Sequence, residues 1–182
     1  MNPIETDRLT IRNFAKDDWE DLREMILQYQ SSEYAAYDHQ WPTSEDELRG
    51  VAEWFASGDS FLAVCLKPTG KFIGLVSLNA EEGRPEAAYN LGYIFNFDYH
   101  GRGYATEACK AIVNYAFAEL AAEMVVTGTA AANQPSCRLL ERVGLKRVGE
   151  STGSLRTSPD GEPVEFSGCN YALSREEWEK TR

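Results

Sequence analysis

The chain has 182 residues, of which 43% are hydrophobic and 26% are charged. This length suits one compact domain, and the composition is that of a folded protein, which excludes disordered and collagen-like chains. The 18 Lys and Arg residues are outnumbered by 29 Asp and Glu residues, which gives a formal net charge of −11. A surface this acidic repels phosphate backbones and argues against a nucleic-acid partner, although it would attract a protonated amine or a basic peptide. An acidic surface kept for solubility is the commoner explanation of such a charge.

The sequence has no segment with the features of a membrane span or a secretion signal. Its start, MNPIETDRLTIRNF, lacks an apolar core, and no run approaches the ~18 apolar residues that a span needs. We therefore expect a cytoplasmic protein with no membrane partner. The four cysteines form no CxxC motif and there are two histidines, so the sequence predicts neither a disulfide framework nor a metal site.

Hydrophobic periodicity predicts an alternation of strands and helices along the chain. In order, the patterns indicate a strand from residue 9, a helix over 15–29, a helix capped by Thr43 or Ser44, strands over 61–66 and 72–78, a long strand over 87–97, a helix over 105–120, a strand over 123–130, a short helix over 134–142, a strand starting at 145 and a final strand over 164–173. The stretch 151–163 reads as a loop or wide turn, and 174–178 as a capped helical turn. Residues 1–182 are thus expected to form a single mixed α/β domain with about six or seven strands.

The loop His100-Gly101-Arg102-Gly103-Tyr104-Ala105 lies between the long strand and the helix that follows it. Its backbone N–H groups would meet the positive end of the helix dipole, which favours phosphate or pyrophosphate, although a plain tight turn has the same pattern. The glycines allow close backbone approach, and Arg102 adds a cation. Two known phosphate loops do not fit, since no Lys follows Gly103 and Thr106 stands where the dinucleotide fingerprint has its third glycine.

Three segments resemble the GNAT acyl-CoA N-acyltransferases, and within them most closely the branch that acetylates ribosomal-protein amino termini. These segments are 91–95, 100–108 and 133–145, and both 5–9 and 171–178 are also typical of that branch. The resemblance implies a GNAT-like fold: a central mixed, mostly antiparallel sheet, splayed in the middle and flanked by helices on both faces. It also implies acetyl-CoA as co-substrate, no metal, and an amine as acceptor.

The resemblance further implies where the co-substrate binds. The pyrophosphate would be held by the loop amides, where His100 departs from the Gln or Arg that the family has at this position. The pantetheine arm would pair with the exposed backbone of the splayed strand, and a backbone N–H near Ile94 or Phe95 would stabilise the oxyanion. The cofactor-binding residues implied in this way are Tyr93, Ile94, Phe95, His100, Gly101, Arg102, Gly103, Tyr104, Ala105 and Asn133.

The catalytic candidates are Ser136 and Glu86. Ser136 matches the serine that the ribosomal branch uses to protonate the departing thiolate, although Ser136 or Asn133 could instead cap the helix at 134. The family's glutamate base has no counterpart, because Tyr89 occupies its position, and Glu86 is a weak substitute that points to the opposite face. A missing strong base favours α-amine acceptors, whose reference pKa of ~7.7–8.0 is far below the ~10.4 of Lys.

Tyr37, Trp41 and Tyr89 are the candidate acceptor-binding residues, together with Tyr34 and Tyr93. The resemblance places this region at the acceptor cleft, whereas core packing is the alternative explanation for its aromatic residues. The leading hypothesis is thus an acetyl-CoA-dependent N-acetyltransferase for a primary amine, such as a protein N-terminus. The alternatives are a non-catalytic acyl-CoA-binding module and an acetyltransferase for an antibiotic or polyamine. The sequence is compatible with a monomer or a homodimer.

Overall fold

The computed structural model describes residues 1–83, 87–158 and 160–181, which form one eight-stranded sheet and five α-helices. The strands are β1 (Ile4–Glu5), β2 (Leu9–Asn13), β3 (Phe61–Leu66), β4 (Phe72–Ala80), β5 (Ala88–Phe95), β6 (Met124–Ala130), β7 (Lys146–Thr157) and β8 (Pro163–Ser174). The helices are α1 (Trp19–Gln30), α2 (Glu45–Ala56), α3 (Tyr104–Ala118), α4 (Gln134–Val143) and α5 (Arg175–Glu179). Short 3₁₀ segments cover Lys16–Asp18, Glu33–Tyr37 and Phe97–Tyr99.

The strand order in the sheet is β1-β2-β3-β4-β5-β6-β8-β7. All neighbouring strands are antiparallel except β5 and β6, which are parallel and pair only from Ala88↔Met124 to Asn90↔Val126. Beyond those pairs the backbones of the two strands no longer pair with each other, so the sheet opens in its middle. The predicted fold class, a mostly antiparallel sheet splayed at its centre, is confirmed, with more strands than the six or seven expected.

Helices cover both faces of the sheet and bury an apolar layer on each. One layer is formed by the sheet with α3, α4 and α5, and includes Leu9, Ile11, Ile73, Val76, Ile112, Val113, Phe117, Leu140 and Trp178. The other is formed by the sheet with α1 and α2, and includes Leu22, Met25, Ile26, Leu48, Phe55, Ala63, Phe72 and Leu75. Each fully buried side chain of this size contributes about 1.5–3 kcal/mol relative to exposure, so the two layers hold the central strands rigidly.

Local sequence signals set the ends of the helices. Ser44 caps α2 by accepting a hydrogen bond from the backbone N–H of Glu47, as one of the two predicted caps. Gly144 ends α4 with a φ of 110°, a left-handed conformation that glycine adopts without a Cβ penalty.

The expectation of a loop over 151–163 is wrong for its first half. β7 extends to Thr157 and pairs with β8, for example at Ser154↔Glu165, so that a long hairpin projects from the sheet. Most residues of β7 are exposed, so the apolar alternation that identifies a half-buried strand is absent. Backbone pairing with β8 makes this segment a strand. The two-residue strand β1 was not predicted for a similar reason, since it is too short to show a period.

All four cysteines are free thiols in buried positions. Burial raises the pKa of Cys109, which lies in the interior face of α3. Within the described residues, no helix combines the length and the apolar character that crossing a membrane would need.

Candidate active site

The gap between β5 and β6 exposes one edge of the β5 backbone. Successive residues of a strand direct their N–H and C=O groups to opposite neighbours. The Leu91 C=O accepts a hydrogen bond of 2.7 Å from the hydroxyl of Thr127 in β6, whereas the Asn96 N–H donates to the Ile73 C=O in β4 at 2.9 Å. Odd-numbered residues of β5 therefore direct their backbone groups into the gap.

By this alternation, Tyr93 and Phe95 present their N–H groups to the gap, and Tyr93 also presents its C=O. The Phe95 C=O is occupied, because Nε2 of His100 lies 3.0 Å from it. Ile94 differs from the expectation, since it pairs with Leu75 of β4 and contributes its side chain, not its backbone, to the cleft. Of the two N–H groups proposed for the oxyanion, the geometry therefore leaves that of Phe95.

The predicted anion loop connects this edge to α3. Gly101 and Gly103 have φ values of 71° and 81°, which residues other than glycine rarely adopt. In the described part of the chain, the N–H groups of residues 101–103 donate to no acceptor, and the first amides of α3, at Tyr104 and Ala105, have no intrahelical one. Several donors at the positive end of a helix of 15 residues are therefore available to an anion.

Two arginines lie at this loop. Arg102, which was predicted, is exposed, and its guanidinium lies 5.7 Å from the centre of the Tyr99 ring. Arg8, which was not, forms a 2.6 Å ion pair with Glu107 in the first turn of α3 and donates to the Arg102 C=O at 3.0 Å. Because Arg8 compensates the Glu107 carboxylate, the start of the helix stays suitable for an anion.

Ser136 lies in the first turn of α4, across the gap from β5. Its Oγ is 2.7 Å from the Tyr93 hydroxyl. The choice of cap is settled in favour of Asn133, whose Oδ1 accepts from the Ser136 N–H at 3.2 Å, so the Ser136 hydroxyl is not used for capping. Burial raises the pKa of the Tyr93 phenol well above its ordinary value, which keeps it protonated. The sequence analysis named Tyr93 for its backbone and as an acceptor-cleft residue, but did not predict the contact of its hydroxyl with Ser136.

The Tyr93–Ser136 pair and part of the exposed edge of β5 line a cleft of about 460 Å³ between the two halves of the splayed sheet. The residues predicted for the site that line the cleft are Tyr34, Tyr37, Trp41, Tyr93, Ile94, Asn133 and Ser136. Tyr89 is not among the lining residues, because it packs half-buried against the core below the fork of β5 and β6. The position of Glu86, the candidate base, lies outside the described residues.

The sequence match to known proteins decides the family. The family model described as "Acetyltransferase (GNAT) domain" matches residues 8–146, more than half of the chain. This chain belongs to the GNAT acetyltransferase family. The prediction from the sequence motifs is confirmed, and so is the prediction that the protein is an acetyl-transferring enzyme.

Relatives of this GNAT enzyme match over nearly their whole lengths. "Uncharacterized N-acetyltransferase YnaD" of Bacillus subtilis (strain 168) is 29% identical over 178 residues, which cover 96% of this chain and 98% of that protein. "Putative ribosomal N-acetyltransferase YdaF" of the same strain is 28% identical over 181 residues, covering 95% and 94%. A GNAT-family acetyltransferase from Bacillus anthracis has a similar crystal structure, with a TM-score of 0.79 at 26% identity, covering 96% and 99% of the two chains.

The wall of the GNAT cleft next to Trp41 contains a carboxylate that the sequence analysis did not predict. Asp38 directly follows the 3₁₀ segment Glu33–Tyr37, and it lines the cleft beside Trp41, whose Nε1 lies 3.4 Å from Oδ2. Burial raises the pKa of the Tyr29 phenol above its ordinary value, and the negative charge of Asp38 raises it further. No motif identifies Asp38, because its place in the cleft depends on how this irregular segment folds back onto the sheet.

The β7–β8 hairpin covers this side of the cleft. Arg156 of β7 donates through Nε to the Asp38 C=O at 2.7 Å, and through Nη2 to the Gln30 Oε1 at 3.0 Å. The rings of Tyr37 and Phe166 are 5.7 Å apart, which adds an aromatic contact between the hairpin and the 3₁₀ segment. The hairpin and the segment that carries Asp38 are thus held together.

Proposed function

We propose that this GNAT enzyme transfers the acetyl group of acetyl-CoA directly to a primary amine, and that its acceptor is the N-terminal α-amine of a protein or peptide. The observation that supports the proposal is the joint presence, in one cleft, of the Tyr93–Ser136 hydroxyl pair and the open backbone edge of β5. Those groups can serve the two charges that acyl transfer creates, on the carbonyl oxygen and on the leaving sulfur.

The residues of the anion loop fit acetyl-CoA, which GNAT enzymes use as co-substrate. The unpaired amides of residues 101–103 and the start of α3 would hold the pyrophosphate, and Arg102 would add a positive charge. The N–H and C=O groups of Tyr93 that face the gap would pair with the amides of the extended pantetheine arm, as an added strand does. The fit is one of chemistry, because these loop donors lack acceptors within the described residues.

The reaction requires a neutral amine that attacks the thioester carbonyl. A C–N bond forms, the C–S bond breaks, the amine loses one proton and the thiolate gains one. In this proposal the Phe95 N–H stabilises the oxyanion and the Ser136 hydroxyl donates to the departing sulfur. When the Tyr93 phenol donates to Ser136 Oγ, the hydrogen of Ser136 is left free to point into the cleft.

Two observations favour an α-amine as the acceptor. Asp38 is the only carboxylate among the described lining residues, and it is not part of the Tyr93–Ser136 pair, so a dedicated base beside the reacting atoms is missing from the described cleft. An α-amine, with a reference pKa of ~7.7–8.0, is substantially neutral near pH 7.5, whereas Lys at ~10.4 is not. The name of the relative YdaF, a "ribosomal N-acetyltransferase", points in the same direction.

A thiol-release assay with two matched tripeptides tests the proposal. One peptide has a free α-amine and no Lys, and the other has an acetylated α-amine and one Lys. We expect CoA release with the first, little with the second, and a fall in kcat of about 10-fold or more for Ser136→Ala, since general acids contribute ~10²–10⁴-fold. Calorimetry should show CoA affinity little changed in that variant. CoA binding without turnover of any amine would instead indicate a non-catalytic module.

A further inference from the structure

The cleft of this enzyme has a single charged side chain on the described part of its wall, that of Asp38. The other lining residues are aromatic or aliphatic, or bear hydroxyl and amide groups. Asp38 is half-buried and forms no ion pair within the described residues. The guanidinium of Arg156 donates to the backbone C=O of Asp38 and is not in hydrogen-bond or ion-pair contact with the carboxylate. A partly buried carboxylate without a counter-ion is costly, so the cleft has a place for a cation.

The carboxylate is oriented and still has capacity to accept hydrogen bonds. Oδ1 accepts from the His39 N–H at 2.7 Å, Oδ2 lies 3.4 Å from Nε1 of Trp41, and the Tyr29 phenol is a third hydrogen-bonding partner of the carboxylate. A carboxylate offers about four acceptor positions, so these donors fix its plane and leave room for an ammonium group. The rings of Tyr34, Tyr37 and Trp41 line the same cleft, and aromatic faces attract a desolvated cation.

An amine that stays protonated at Asp38 is not the amine that reacts. An adjacent carboxylate stabilises the protonated form of an amine, and a protonated amine has no lone pair with which to attack the thioester. An ammonium that remains bound by Asp38 therefore belongs to a second amino group of the same acceptor, whereas a carboxylate that takes the proton away would act as a general base, and the rates below distinguish the two roles. This step rests on the proposed function, because it requires that the acetylated group be an amine.

We propose that Asp38 determines acceptor specificity by binding a protonated amino group of the acceptor other than the one that is acetylated. Preferred acceptors then carry two basic groups. A peptide with a free α-amine and a Lys next to it has this chemistry. A short diamine also carries a second cation, but both of its amines are strongly basic, so it should react more slowly than the peptide and serve as a probe of the cation site.

Two matched acceptor pairs test this inference in wild type and Asp38→Asn. The pairs are 1,5-diaminopentane against pentylamine, and alanyl-lysine amide against alanyl-norleucine amide. In wild type we expect kcat/KM to be about 10-fold higher for the dication of each pair, equivalent to roughly 1.4 kcal/mol. Asp38→Asn should remove most of that preference, because the dication of each pair should lose about 10-fold in kcat/KM and the monocation clearly less. The pair with the larger wild-type kcat/KM distinguishes diamines from basic peptides.

Asp46→Asn is the matched control, because Asp46 is an exposed aspartate in the first turn of α2, outside the cleft lining. It should leave all four rates unchanged. An equal loss for monocation and dication in Asp38→Asn would indicate a general base or a folding defect and would overturn the inference, as would an unchanged preference.

Calorimetric titration of 1,5-diaminopentane into the CoA-saturated enzyme separates this inference from the proposed function. Weaker binding in Asp38→Asn than in wild type supports the cation site even if no amine is acetylated, which would refute the proposed function alone. Equal binding in the two proteins overturns the cation site whatever the rates are.

Discussion

At the scale of single residues, the Tyr93–Ser136 pair is the most specific feature of the site. The two hydroxyls come from different halves of the splayed sheet, one from β5 and one from the start of α4. Asn133 caps the helix and so frees Ser136 for this contact. The phenol is held protonated by burial, so it orients the serine hydroxyl and need not ionise itself.

We therefore expect Tyr93→Phe to lower kcat by about 10-fold, because the serine hydroxyl loses its orientation. The double variant Tyr93→Phe/Ser136→Ala should be no more than about twofold slower than Ser136→Ala alone, since residues that act as one unit are not additive. Steady-state rates with saturating acetyl-CoA measure both. Tyr115→Phe, a half-buried tyrosine of α3 outside the cleft lining, is the control. Fully additive losses would show that the two hydroxyls act separately.

At the scale of elements, the start of α3 depends on the segment that precedes β2. Glu107 places a negative charge in the first turn, where the anion would bind. Burial opposes ionisation of Glu107, but hydrogen bonds from Thr6 and Arg8 hold its pKa below the ordinary value. Arg8 also contacts the Tyr104 ring, 4.4 Å from its centre, so one side chain fixes the helix start and neutralises its carboxylate.

Arg8→Gln should raise KM for acetyl-CoA about 5- to 10-fold with little change in kcat, because an unpaired Glu107 carboxylate would repel the pyrophosphate. Initial rates over a range of acetyl-CoA concentrations measure this. Arg147→Gln is the control, since its side chain is 47% exposed, against 46% for Arg8, and pairs with Glu150 far from the loop. Adding Glu107→Gln to Arg8→Gln should restore KM, and a failure to do so would assign the effect to lost structure.

Sequence patterns predict a site residue well where its role depends on residues that are close to it in the sequence. The loop over 100–105 could be located because Gly101 and Gly103, which have left-handed φ values, stand between a predicted strand and a predicted helix. Ser136 could be named because the motif Asn133-x-x-Ser136 resembles that of the ribosomal branch. Arg8 could not be assigned a role because its partner, Glu107, is far away in the chain. Asp38 could not because its place in the cleft depends on how the segment before it folds back onto the sheet. The extent of β7 was missed for the same reason, since an exposed strand is stabilised by its partner and not by its own periodicity.

At the scale of the whole molecule, charge is distributed unevenly. The net charge of −11 coexists with the proposed anion site at the loop around Arg102. Many carboxylates are held in ion pairs that tie distant segments together. The hydrogen bond from Lys146 lowers the pKa of Glu177 from its ordinary 4.5 to about 2, and this pair joins β7 to α5. A hydrogen bond from Asn96 likewise lowers the pKa of Glu24.

A carboxyl whose pKa is lowered by folding stabilises the fold above its unfolded pKa and loses that effect as the pH falls toward its folded pKa. We therefore expect the thermal midpoint to be nearly constant from pH 7 to about 5 and to fall below pH 4.5. Glu177→Gln should lower Tm by about 1–3 °C at pH 7, as for an exposed ion pair, and the difference should shrink as the pH approaches 2. Calorimetry across this range measures both curves. The control is Glu33→Gln, whose side chain forms no ion pair in the described residues, and it should leave Tm unchanged. A decrease in Tm for Glu177→Gln that does not depend on pH would refute the assignment.

The burial of all four thiols determines what a sulfhydryl reagent reports in this protein. A chromogenic disulfide reacts with the exposed thiolate of released CoA within seconds, but it reaches the four cysteines only after local or global unfolding. The colour formed during turnover therefore measures the CoA that is released, with little background from the enzyme's own thiols. The same reagent in denaturant titrates four thiols per chain, so a single chemistry measures turnover under native conditions and integrity of the core under denaturing ones.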